Sequence, residues 1–303
     1  LNPTSGLSAF RLQRNTKTNE DQSTGYEGAT ESTPLEYFVG PNPLGFYMDS
    51  KALGIFQGHM LATDTVTAAG TGAYTHAFSM GSTYGDFPGS FVCSTRLEQG
   101  VSATPDKTLY GCYVESITIS GGTTDFVSIT PTISGSGHHA NPYTGADSSL
   151  IGPANRFPAH KTRISILPIT TAGTSPWGGT YTAPTVAGTF ANTLSGGTAI
   201  DLSGEGKDSW SFTQSMNYDP SSKLRPGTTS GSASYQGCPN AGRRTFALSI
   251  TGESTSAIQG LIYKYENQTE ALQAHFAVVV EFVTDAEIAS SGRYYGGALV
   301  MPL

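Results

Sequence analysis

Charge is what this 303-residue chain has least of. It carries 16 Lys+Arg and 23 Asp+Glu, so 13% of its side chains are charged, against about 25% in ordinary domains. Clustered Lys and Arg, needed to grip nucleic acid by neutralising phosphates, are absent, and the net charge of −7 points the same way. Cysteine is almost missing. Cys93, Cys112 and Cys238 are widely spaced and form no C-x-x-C, which excludes a disulfide framework or zinc knuckle and predicts buried thiols. No apolar run is long enough for a membrane-spanning helix; the strongest, Phe276 to Val283, is broken by Glu281. The first residues show neither a charged nor an apolar leader region, so no signal peptide is expected.

What fills the chain instead is 34 Ser, 39 Thr and 37 Gly, arranged with period two. Trp210, Phe212 and Met216 alternate with Ser209, Ser211, Thr213 and Ser215, and Phe246, Leu248 and Ile250 with Thr245, Ala247, Ser249 and Thr251. Val127, Ile129 and Ile133 oppose Ser128, Thr130 and Thr132, and Tyr74, His76, Phe78 and Met80 oppose Ala73, Thr75, Ala77 and Ser79. Such alternation marks strands with one face buried. Gly121-Gly122 predicts a hairpin between a strand near 112–120 and one near 125–133. The fold class is mainly β. Two segments have helical spacing: Pro43 to Gly54, through Leu44, Tyr47, Met48 and Lys51, and Ser254 or Thr255 to Asn267, through Ile258, Leu261, Ile262 and Tyr265.

From Ile164 to Gly206 there is no Lys or Arg, and much of the stretch is Gly/Ser/Thr-rich. It predicts a boundary: a first unit at 1–170, a connector at 171–206 and a second unit at 207–303. Each unit shows strand, polar loop, strand and helix in similar order, so a duplicated β-sandwich with one flanking helix per unit is expected.

Signatures of catalysis are missing: no nucleophile elbow, Walker loop, dinucleotide fingerprint or H-E-x-x-H. The chain is expected not to be an enzyme and to hold no cofactor or metal. His76 reads as a core residue. His138 and His139, adjacent on an extended chain, point apart and chelate poorly together. Arg243-Arg244 reads as a solvated strand start or an interface ion pair.

Several segments, in order, resemble the tail tube proteins of long-tailed bacteriophages, the non-contractile type most closely. They are the Leu44–Gly54 helix, Gly72–Phe78, Gly89–Cys93, Tyr110–Ile119, Trp210–Asn217, Leu224–Gly227 and Arg243–Ile250. The resemblance implies a structural virion protein made in the host cytoplasm and located in the virion tail. Its β-sandwiches would close into rings that stack into a hollow tube for ejection of double-stranded DNA. A duplicated unit implies a homotrimer with pseudo-sixfold symmetry; a single unit implies a homohexamer. Implied partners are other copies of the chain, a tape measure protein and DNA in the lumen, and tail terminator and tail-tip proteins, with no membrane.

DNA carries about one negative charge per 1.7 Å of axis, so a conduit lined with hydroxyls and carboxylates lets it pass. Glu115, Asp125 and Glu281 are the expected lumen residues. The polar loops Ser134 to His160, with His138, His139, Asn141 and Tyr143, and Asn15 to Thr33 are expected at ring-to-ring contacts. The alternative is a non-enzymatic surface or capsid β-sandwich that binds glycans through exposed aromatics. A porin-like barrel fits less well, because two helical segments and many hydroxyls oppose a lipid-facing wall.

Overall fold

The computed structural model describes residues 12–20, 29–61, 63–80, 89–95, 107–135, 139–140, 155–169, 177, 181–194, 200–202, 207–218, 224–225, 234–236, 243–256, 258–260, 263 and 275–302. In chain order come β1 (Leu12–Glu20), β2 (Ala29–Pro43), β3 (Phe46–Tyr47), α1 (Ser50–Gly58), β4 (Thr63–Gly70), β5 (Ala73–Ser79) and β6 (Phe91–Thr95). Then follow β7 (Lys107–Gly121), β8 (Ser128–Gly135), β9 (His139–Ala140), β10 (Thr162–Ile169), β11 (Ile200–Asp201) and β12 (Lys207–Ser215). The last are β13 (Leu224–Arg225), β14 (Ser234–Gln236), β15 (Thr245–Gly252), β16 (His275–Glu287) and β17 (Tyr294–Pro302). The chain is mainly β, as its alternation predicts.

Among the described residues, an 11-stranded sheet has the central order β13-β14-β2-β8-β7-β12-β15, a 4-stranded sheet the order β11-β10-β16-β17, and β4 and β5 form a separate pair. The two larger sheets share one core. Ile117, Ile119, Ile129 and Phe212 of the large sheet cluster with Ile164, Val278, Val280 and Phe282 of the smaller one, and Ala52 and Phe56 of α1 close the cluster. Trp210 stacks on Phe282 with ring centroids 6.2 Å apart.

Pairing runs across the expected boundary at 171–206. β7 pairs with β12, and β10 pairs with β16 along Thr162–Ile169, so both sheets contain strands from 1–170 and from 207–303. Apolar residues from the two segments therefore bury each other in one core. The local order does recur: β1–β2 and β12–β15 are both antiparallel pairs. β2 also pairs with β8, whereas among the described residues β15 ends its sheet.

The first helix starts later than its apolar spacing suggests. Leu44 and Met48 are spent on extended chain, their N–H groups donating to Pro131 O (2.9 Å) and Val127 O (2.7 Å). The helix begins behind Asp49, whose carboxylate accepts from Ala52 N at 2.7 Å as an N-cap, and it runs through Gly54 to Gly58. A helical turn does start behind Thr255, where Gln259 N donates to Thr255 O at 2.9 Å. Within Asn15 to Thr33, expected as a polar arm, residues 15–20 and 29–33 belong to the paired strands β1 and β2, and 21–28 lie outside the described residues.

Candidate functional site: a hydroxyl-lined sheet face

Strand register turns the Ser/Thr alternations into a surface. Across β8, β7, β12 and β15, three rows line up: Thr132–Ser116–Ser215–Thr245, Thr130–Thr118–Thr213–Ala247 and Ser128–Ser120–Ser211–Ser249. Eleven of these twelve positions carry a hydroxyl, the exception being Ala247. Because side chains alternate across a sheet, Ile117, Ile119, Ile129 and Phe212 leave from the opposite face and are buried. The hydroxyls stand half-buried on β7, β8 and β12 and, with Ala247, exposed on β15. They bond to one another, as in Thr118 Oγ1···Thr213 Oγ1 at 3.2 Å and Ser120 Oγ···Ser128 Oγ at 2.9 Å. No Asp, Glu, Lys or Arg stands in the three rows. Such a face hydrates easily and holds no fixed charge.

At one end the face deepens into a hollow of about 410 Å³, floored by Ser120, Ser128, Ser209, Ser211, Ser249 and Thr251. Its end wall is Tyr47 edge-to-face with Phe126, ring centroids 5.7 Å apart. The Arg156 guanidinium lies 4.9 Å from the Tyr47 ring centre and 5.8 Å from that of Phe126.

The expected lumen residues part company. Asp125 is exposed on the turn after β7, lines this hollow and accepts Phe126 N at 2.7 Å. Glu115 falls where the β7–β8 register shifts between Val114 and Ser116, and its carboxylate accepts from Ser134 Oγ at 2.6 Å. Glu281 is a correction. It is only 1% exposed, its Oε2 accepts from Arg163 Nε at 2.7 Å and from Arg163 Nη2, and it lies under the segment 181–194. Alternation predicts a wet side here, but β16, the strand it interrupts, is buried on both faces from Ala277 to Thr284. Burial pushes the Glu281 carboxyl up from the ordinary carboxylate range, and the Arg163 guanidinium only partly opposes this.

Of the expected loop residues, His138, Asn141 and Tyr143 lie outside the described residues. His139 is in β9, paired with Leu109 of β7. His76, read as a core residue, is half-exposed on the β4–β5 hairpin, its Nδ1 2.9 Å from Asp64 Oδ2. The backbone carbonyl of Arg243, an exposed residue, accepts from Asn217 Nδ2 at 2.6 Å. Among the described residues, no three His, Cys, Asp or Glu side chains group as metal ligands, and no helix is long and apolar enough to cross a membrane. What sequence reasoning missed is the lateral register: each strand shows its own hydroxyls, but only the pairing makes them one surface. No protein-family model and no curated protein matches the chain.

Proposed function

We propose that the chain is a structural subunit of the tail tube kind, assembling into rings that stack around a water-filled channel. The observation carrying this reading is the charge-free hydroxyl face, which covers four strands directly opposite the core. A channel wall has to be wet on one side, packed on the other, and free of cations that would hold a passing polyanion. The face is the wall of the lumen, with the carboxylates of Asp125 and Glu115 beside its hydroxyl rows. Double-stranded DNA and a tape measure protein occupy the channel without sequence-specific contacts, and tail terminator and tail-tip proteins cap the ends. The ring is a homotrimer if the repeated strand–strand–helix order counts as two units and a homohexamer if it does not.

Negative-stain microscopy of the purified protein tests the reading. Hollow rings or tubes are expected; dispersed single particles at high protein concentration would sink it.

One feature favours a second reading, a glycan-binding β module. The Tyr47–Phe126 wall above a hydroxyl floor offers a sugar ring both an apolar platform and hydrogen-bonding partners. Saccharide binding that is lost in Phe126→Ala, by a protein that never forms rings, would favour it over the tube.

A further inference from the structure

Among the described residues β15 is an open sheet edge, pairing only with β12. Proteins usually blunt such edges with Lys, Pro, bulges or shortness. Thr245–Gly252 has eight residues, no charge and no proline, and its register with β12 is unbroken from Ser215↔Thr245 to Ser209↔Thr251. Its core-facing Phe246, Leu248 and Ile250 are only half-buried, as expected when the next strand is missing.

The β4–β5 hairpin has the matching character. Pairing of Thr63↔Ser79, Thr65↔Ala77 and Thr67↔Thr75 gives one face made of hydroxyls and one alanine. Pairing of Asp64↔Phe78, Val66↔His76 and Ala68↔Tyr74 gives the other its apolar side chains. Val66 is 52% and Tyr74 61% exposed, and a lone two-stranded hairpin is marginal in water. Asp64, the hairpin's single carboxylate, is engaged by His76 at 2.9 Å. Nearly every residue of β4 is exposed, and among the described residues β4 pairs only with β5.

We infer that the open edge of β15 takes up β4 of a second copy of this chain, continuing the hydroxyl face on one side and the apolar face on the other. The partner is a second copy because the hairpin is tethered elsewhere in its own molecule. A Cβ on Gly58 of α1 would lie 3.6 Å from the Phe78 ring, and one on Gly70 would lie 3.7 Å from Arg293. Edge and hairpin also agree in length, in lacking Lys and Arg, and in carrying hydroxyls on one face and apolar side chains on the other. The inference rests on the assembly reading above and names the surfaces it uses.

Cross-linking tests it. Thr65→Cys is purified separately from Ala247→Cys and Ser249→Cys, then mixed with each in turn under mild oxidation. Wild type, which carries Cys93, Cys112 and Cys238, is run as the control for linkage through native thiols, and burial raises those of Cys93 and Cys112. A disulfide-linked dimer is expected in the mixtures alone. Rings without cross-linking in either mixture overturn this pairing and leave the assembly reading standing. A cross-linked dimer without rings supports the pairing and sinks the tube. A second variant, Ala247→Lys, places a charge on the open edge. It should leave the urea midpoint unchanged and abolish rings; normal rings from it overturn the inference.

Discussion

The hydroxyl face of the large sheet and the outer face of the 4-stranded sheet solve opposite problems. The first, uncovered among the described residues, holds Ser and Thr in register without a charge. The second lies beneath the segment 181–194, and there Val279 and Val283 are buried beside Glu281. Arg163 joins the layers: it pairs with Glu281, donates to Asn192 O at 2.8 Å and lies 4.7 Å from the centre of the Phe190 ring. Asn192 in turn accepts from Thr182 N at 2.7 Å and donates to Thr182 O at 3.1 Å. A covered face can hold an ion pair because its partners are fixed. A wet face loses little by being neutral and gains interchangeable bonds with water.

Substitutions should separate the two faces sharply. The largest effect is expected from Arg163→Ala, which leaves Glu281 buried and unpaired and should cost about 3–5 kcal/mol in urea unfolding. A loss below about 1 kcal/mol would mean that the covered face does not depend on its charge pair. Next comes Gly121→Ala, at the seam between wet and packed sides. A Cβ there would meet Trp210 Nε1 at 2.9 Å and two further indole atoms at 3.1 and 3.2 Å, so overpacking should cost about 1–3 kcal/mol, read as a lower melting temperature.

A pH series sharpens the comparison further. The folded state raises the Glu281 carboxyl by burial, so it binds that proton more tightly than the unfolded chain does. Its contribution to stability is therefore greatest in acid and falls as pH rises through the shifted value. Relative to Glu281→Gln, wild type should lose urea resistance as pH rises above the ordinary carboxylate range; a difference that stays flat would contradict the burial account. The smallest effect belongs to the wet face. Thr213→Val removes the bond to Thr118 Oγ1 at 3.2 Å at a half-exposed site and should change stability by no more than about 0.5 kcal/mol, measured by the same unfolding curves.

These contrasts show what the sequence could disclose. Strands with one wet face are legible, because Phe212 between Ser211 and Thr213, or Ile119 between Thr118 and Ser120, carries its own orientation. The Gly121-Gly122 hairpin is legible from turn chemistry. β16 is not, since a strand covered on both sides loses its alternation, and the cover for one side comes from 181–194, a stretch whose composition resembles a linker. The start of α1 is missed for a related reason: Leu44, Tyr47 and Met48 have helical spacing, but pairing with β8 claims them first. The hydroxyl surface is half legible. Its residues stand in plain view, while its assembly into rows depends on β7 meeting β12, some 90 residues apart.

The same long reach governs how the chain can be made. β10 finds its main partner only when residues 275–287 exist, and β16 finds β17 only when residues 294–302 exist. During synthesis the N-terminal half must wait with Ile164 and the core side of β7 unprotected. Closing so large a loop before any contact rewards it makes folding slow and leaves a nascent chain prone to aggregate. Deleting residues 294–302 would therefore take from β16 the strand it pairs with from Ala277 to Glu287.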